Sequence, residues 1–150
     1  MNHDVMFSSA SDQWATPQWL FDELDEEFHF TLDPCADESN RKVDRFFNKD
    51  QDGLKQDWQG ETVFCNPPYG RKATGEWTKK CYEESLKPGT TVVLLIPART
   101  DRTSFHEYVW GKAEIRFIKG RLRYGNGKDR APFPSMIVIY RNQVTGGEIG

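Results

Sequence analysis

The chain has 150 residues, 37% of them hydrophobic and 29% charged, which sets it at one domain with enough apolar material for a real core. No apolar run is long enough to cross a bilayer, and the polar first eleven residues lack the apolar stretch of a signal peptide. Cys35, Cys65 and Cys81 form no CxxC pair, so neither a disulfide framework nor a zinc site is expected and a reducing cytoplasm fits.

The net charge of −3 conceals a polarity. Residues 1–60 hold 5 Lys/Arg against 14 Asp/Glu, whereas residues 97–134 hold 9 against 4. A basic face on an acidic protein can orient a polyanion, although a solvated, salt-bridged surface has the same composition.

In chain order, residues 1–11 read as a flexible N-terminus. Trp14-Ala15-Thr16-Pro17 then leads into a helix, with Thr16 suited to the N-cap and Pro17 to the first helical position. Leu20, Leu24 and Phe28 recur at intervals of four and give that helix its apolar face. Thr16 either caps the helix or, with nearby free N–H groups, holds a carboxylate. Residues 28–33 alternate as a strand, taking in His29, and end at Asp33-Pro34. That is a turn suited to pass beneath a ligand, where Asp33 can accept from an ammonium group. No GxGxxG follows, which argues against a nicotinamide dinucleotide. Residues 38–56 read mostly as loop, anchored by Val43, Phe46, Phe47 and Leu54. Trp58 belongs to the core. Asp57 is either a surface turn residue or an acceptor for an adenine amino group.

The decisive stretch comes next. Val63-Phe64-Cys65 is a short buried strand that stops at Asn66-Pro67-Pro68-Tyr69. Two prolines remove two N–H donors and bias their predecessors to extended geometry, so the chain must leave its sheet there. Open α/β sheets place ligands at the carboxyl ends of their strands. Asn66 offers a side-chain oxygen at such an end, Pro67 a carbonyl and Tyr69 a flat face, a set that suits an exocyclic amine. Residues 70–75 read as a flexible cationic loop, either a lid or phosphate contact or an ordinary solvated loop. A helix follows over 76–87, with Trp77, Cys81 and Leu86 inward and Pro88-Gly89 as its stop. Residues 91–96 are the clearest buried strand, and Arg99-Thr100-Asp101-Arg102 lies at its carboxyl end. A short helix over 105–110 and strands over 114–118 and 135–140 complete the pattern, with a turn at Asn126-Gly127 in the long loop between those strands. Two terminal strands without a helix between them imply an antiparallel pair at one sheet edge. Residues 142–150 read as a flexible tail.

This alternation predicts an α/β fold, a single compact Rossmann-like sheet that is mostly parallel with an antiparallel C-terminal strand pair. Asn66-Pro67-Pro68-Tyr69 resembles the catalytic motif of S-adenosylmethionine-dependent amino-methyltransferases. Trp14-Ala15-Thr16-Pro17, Leu32-Asp33-Pro34, Asp57-Trp58, Leu94-Leu95-Ile96-Pro97-Ala98-Arg99-Thr100 and Gly120-Arg121-Leu122 join it in order. Together they resemble the phage-type DNA N-6-adenine-methyltransferase (Dam-like) family over residues 12–141, which implies one methyltransferase domain between the two flexible ends.

The resemblance implies direct methyl transfer from S-adenosylmethionine to a flipped-out adenine, in the host cytoplasm for a phage-encoded chain. Asn66, Pro67, Pro68 and Tyr69 would be catalytic. Thr16 would meet the cofactor carboxylate, Asp33 its amino group and Asp57 its adenine, with Pro17, Pro34 and Asn66 beside them. The usual glycine-rich turn is here Pro34-Cys35-Ala36-Asp37, and the candidates for the ribose are Asp37 and Asp44. Charge and position nominate Arg71, Lys72, Arg99, Arg121, Arg123 and Arg130 for DNA, and the loop over 121–134 is the only sizeable insertion that could read a sequence. A monomer is favoured. The motif also fits methylation of cytosine N4, an RNA adenine or a protein glutamine. A catalytically silent nucleic-acid-binding module is the reading from another class.

Overall fold

A computed structural model of the chain describes residues 14–125 and 127–141. The expectations for residues 1–11 and 142–150, and the turn at Asn126, lie outside the described residues. Helix α1 (Gln18–Phe28) starts one residue later than predicted. Pro17 stands at its cap and its carbonyl accepts from Leu20 and Phe21 at 3.1 and 3.2 Å, while no side chain caps the helix. The Thr16 hydroxyl is thereby left for a tertiary contact. Leu20, Phe21 and Leu24 are buried, as the four-residue spacing requires. His29 ends the helix in a left-handed conformation, its N–H bonded to Asp25 O at 2.8 Å, and so caps α1 instead of entering a strand.

The strand expected over 28–33 contracts to two parallel bridges, Leu32 with Val63 and Asp33 with Phe46. Beyond Asp33 the chain is irregular apart from a 3-10 turn at Gly53–Lys55, and Val43, Phe47 and Leu54 pack it onto the core. Gly53 is required by contact: a Cβ there would meet the Pro34 carbonyl oxygen at 2.1 Å. Trp58 is fully buried and donates its indole N–H to Gly53 O at 3.0 Å. Its backbone N–H is received by the buried Glu84 at 2.7 Å, and Lys80 and Lys87 neutralise that carboxylate.

The regular strands are β1 (Thr62–Cys65), β2 (Thr91–Pro97), β3 (Glu114–Phe117) and β4 (Ser135–Tyr140), in the order β1-β2-β4-β3. Only β1 and β2 pair in parallel; β4 runs antiparallel to both β2 and β3. The expectation of a mostly parallel sheet is therefore corrected, since two of its three pairings are antiparallel. The expected antiparallel pair of β3 and β4 lies at one edge of the sheet, with β3 outermost and β4 inside. Burial explains the placement. Every residue of β4 is buried, which demands cover on both faces, whereas β3 carries Glu114, Arg116 and an exposed Phe117 and suits an edge. Because β1, β2 and β3 still share one direction, the carboxyl ends of β1 and β2 open on the same side.

Helix α2 (Arg71–Ser85) begins five residues before the predicted start, so the cationic stretch over 70–75 is a helical turn and not a flexible loop. Gly75 lowers helix stability by about 1 kcal/mol relative to Ala, which burial of Thr74, Trp77, Thr78 and Cys81 offsets. Leu86 lies just past the helix and is 47% exposed, not inward as expected. Helix α3 (Thr103–Tyr108) follows β2 and leads into β3. Among the described residues no helix is long and apolar enough to cross a membrane, and no group of His, Cys, Asp and Glu could hold a metal ion.

Candidate active site

Asn66 leaves the sheet at the carboxyl end of β1, and its side chain is clamped from across the fold. Its amide nitrogen donates to Trp14 O at 2.5 Å and to Thr16 Oγ1 at 2.9 Å. Trp14 O can only accept, so the nitrogen must face it and Oδ1 must face away. Oδ1 is buried and has no hydrogen-bond partner among the described residues. Leaving a buried acceptor unpaired costs about 1–3 kcal/mol. Oδ1 is thus an acceptor that the described donors of the fold leave unused beside the cleft.

Thr16, Asp33, Phe64, Asn66 and Pro67 line one cleft of about 220 Å³. Asp33 is 4% exposed; its Oδ1 accepts from Cys35 N at 3.3 Å and its Oδ2 from Lys42 N at 3.2 Å. Burial outweighs those two amide bonds and pushes its pKa up to about 6. A cationic ligand beside it would restore the ionised form. Pro17 and Pro34 are buried and shape the backbone on either side. Cys35 also borders the cleft, but burial and the neighbouring Asp33 push its pKa up to about 12, so it stays a neutral thiol and not a nucleophile. Ala15 also lines the cleft, and Trp14, Asn40 and Lys42 complete the lining. Sequence reading did not assign these three to the cleft, since they sit in irregular segments where no periodicity announces a contact.

Tyr69 is 8% exposed. Its hydroxyl donates to Leu95 O at 3.1 Å and lies 3.2 Å from the Tyr124 hydroxyl, which bonds Ser135 Oγ at 2.8 Å. Tyr124 and Phe133 stand edge-on to its ring, with centroids at 5.8 and 5.6 Å. Burial, reinforced by Tyr124, raises its pKa well above the usual phenol range, which excludes proton abstraction by this group at neutral pH. Pro68 keeps a structural task, its carbonyl accepting from Thr74 Oγ1 at 3.2 Å.

Other candidates fall elsewhere. Asp57 is not brought to the cleft: it is exposed, ion-paired with Lys87 at 2.9 Å, and precedes the amino end of β1, opposite Asn66. Asp37 is exposed and bonds Ser39 and Asn40, and the exposed Asp44 pairs with Arg41 at 3.1 Å. Arg71 and Lys72 open α2, and Arg99 follows β2 with its guanidinium 5.8 Å from the Phe133 ring centroid. Arg121, Arg123 and Arg130 are exposed, while their neighbours Leu122, Tyr124, Ala131 and Phe133 are buried. The loop over 121–134 is consequently no free insertion. Gly125 donates to Ala15 O at 2.8 Å, and Trp14 packs edge-on against Tyr124 and Phe133. The loop thereby walls the same region that Trp14, Asn66 and Tyr69 occupy.

Similarity to known proteins agrees with this arrangement. The family model described as DNA N-6-adenine-methyltransferase (Dam) matches residues 5–146. A DNA N-6-adenine-methyltransferase of Haemophilus phage HP1 (strain HP1c1) is 31% identical over 149 residues, covering 94% of this chain and 85% of that protein. Another of the same description, from Escherichia phage T1, is 29% identical over 116 residues, covering 76% of this chain and 48% of that protein. With its Asn-Pro-Pro-Tyr turn at the end of β1 and the cleft of Asp33 beside it, the chain belongs to the DNA N-6-adenine-methyltransferase (Dam) family.

Proposed function

We propose that this chain methylates N6 of an adenine flipped out of DNA, using S-adenosylmethionine on a Rossmann-like sheet that the Leu32 and Asp33 bridges extend beyond β1. The observation that carries the reading is the buried, unpaired Oδ1 of Asn66, a residue that lines the same cleft as Asp33. The cleft chemistry fits the cofactor's amino-acid end. Asp33 would accept its ammonium, Thr16 would meet its carboxylate, and Pro17 and Pro34 would set the backbone around them. When bound, S-adenosylmethionine supplies an activated methyl group on a sulfonium centre.

The protein's own part is to prepare the amine. Adenine N6 is a poor nucleophile because its lone pair is delocalised into the ring. Asn66 Oδ1 and the Pro67 carbonyl accept its two hydrogens, favour tetrahedral geometry and stabilise positive charge as it develops. Neither oxygen is a base, so the proton that N6 loses passes to water once the amine has become acidic. Alignment of the reactants contributes up to about 7–11 kcal/mol in well-oriented systems. Tyr69 offers a ring face to the base, a contact of about 1–3 kcal/mol that offsets the unstacking. Because that ring is 8% exposed, admission of the base requires the wall over 121–134 to shift. Arg71, Lys72, Arg99, Arg121, Arg123 and Arg130 would meet the DNA backbone.

The test is incubation with methyl-labelled S-adenosylmethionine and DNA, RNA or protein, followed by digestion to nucleosides or amino acids. The expected product is N6-methyldeoxyadenosine. Label recovered chiefly in N4-methylcytosine, RNA adenosine or methylglutamine would overturn the assignment.

A further inference from the structure

We infer that Arg71 and Arg102 together seat a single phosphate of the DNA strand beside the target adenine, with Arg99 flanking it, an inference that rests on the DNA-methylating reading above. Arg102 is half-buried and borders two spaces at once. One is the hollow against Tyr69 that Arg99 and Thr74 also line; the other is the groove between α2 and α3, shared with Arg71 and Ser104. It therefore connects the wall of the catalytic motif to an open surface groove. The three guanidiniums are held close enough that, after burial, repulsion from Arg99 and Arg71 is what lowers the Arg102 pKa.

Four arginines of this fold pair with carboxylates: Arg41 with Asp44, Arg45 with Glu61, Arg116 with Glu27 and Glu114, and Arg141 with Glu114. Arg121, Arg123 and Arg130 make no ion pair among the described residues either, but they are exposed and do not line this groove. Among the described residues the side chains of Arg71, Arg99 and Arg102 make no ion pair and no hydrogen bond, and Asp101 beside Arg102 attracts it without pairing. Packing like charges together without an anion is unfavourable, and an incoming anion relieves it. Guanidinium forks match phosphate oxygens bidentately, and the seat adjoins the motif where the base amine must lie. Beyond the arginines the groove carries Lys72 and Lys79 against Glu76, Asp101 and Glu107, a mixed set of charges that suits one phosphate seat and not a continuous track.

The experiment titrates a fluorescently labelled adenine-containing duplex with the full chain, by anisotropy, across a salt series. Arg71→Gln and Arg102→Gln should each weaken binding about tenfold. The double variant should fall little below either one and should flatten the log–log salt dependence by about 0.9, the loss of one phosphate contact. Cofactor affinity by calorimetry should stay at the parent value in all three. Unchanged affinity in both single variants overturns the seat, as does a double variant that loses two phosphates' worth of salt dependence. Arg71 is fully on the surface, so Arg71→Gln alone decides the matter if Arg102→Gln does not fold; parental affinity in it is a refutation. A parent protein that methylates adenine while the variants match it sinks only the seat, whereas label outside adenine N6 sinks the underlying function.

Discussion

Lowering the pH from 7 to 5 should weaken S-adenosylmethionine binding about tenfold through one group, the Asp33 carboxyl. Its pKa of about 6 in the free protein arises because burial disfavours the charge more than the Cys35 and Lys42 amides favour it. If an ammonium must meet an ionised Asp33, the competent fraction is about ten in eleven at pH 7 and about one in eleven at pH 5. The cofactor's own α-amino group stays protonated across that window, since such groups titrate near 7.7–8.0. Calorimetry at pH 7, 6 and 5, repeated in buffers of different ionisation enthalpy, reads both the affinity and the proton released at low pH. Asp33→Asn should bind weakly at every pH, without the slope. A flat parent profile, or an Asn variant that keeps the slope, refutes the assignment of the ammonium to Asp33. The same group predicts a stability trend with a definite sign. Its pKa is raised on folding, so its stabilising contribution is full below about pH 4 and is lost as pH rises through about 6. At 1.36 kcal/mol per unit that loss is on the order of 3 kcal/mol.

Asn66→Ala removes the unpaired acceptor and should lower kcat by about 10²–10³-fold, with cofactor affinity changed far less; equal losses in kcat and affinity, measured by single turnover and calorimetry, would contradict the division of roles between Asn66 and Asp33. Tyr124→Phe deletes the hydroxyl between Tyr69 and Ser135, so kcat should fall and stability drop by about 1 kcal/mol while cofactor affinity holds. Gly53→Ala drives a methyl into the Pro34 carbonyl and should cost about 1–3 kcal/mol in denaturant unfolding; a neutral result would show that the 3-10 turn can retreat. Glu84→Ala leaves the buried Trp58 N–H without its acceptor and should cost about 2–3 kcal/mol in the same assay.

What was legible from residues alone rests on short-range constraint. Two prolines stop β1 wherever the rest of the chain goes, so the turn at its carboxyl end was visible as soon as Asn66-Pro67-Pro68-Tyr69 was read. The continuous apolar runs of β2 and β4, and the four-residue rhythm of Leu20 and Leu24, likewise declare themselves within a few residues. Residues 70–75 misled because Gly70 and Gly75 bracket them, and glycine marks a loop only when packing does not reward the helix. There Thr74, Trp77 and Thr78 do.

Tertiary structure decided the rest. Nothing local says that β4 crosses inside the sheet; that follows from which strand can bury both faces. Nothing local brings Trp14 and Thr16 onto the Asn66 amide about fifty positions away, yet that grip is what orients its free oxygen. Asp57 reads as well as Asp33 on paper, but one precedes the amino end of β1 and is paired with a lysine, while the other is buried in the cleft. The amino-acid sequence by itself determined where this chain must turn and which segments must be buried, because backbone sterics and hydrophobicity act over a few bonds. Which side chains meet at the cleft, and which charges lack a partner, was set only when distant segments closed on one another, since hydrogen bonding and charge depend on separation in space and not on position along the chain.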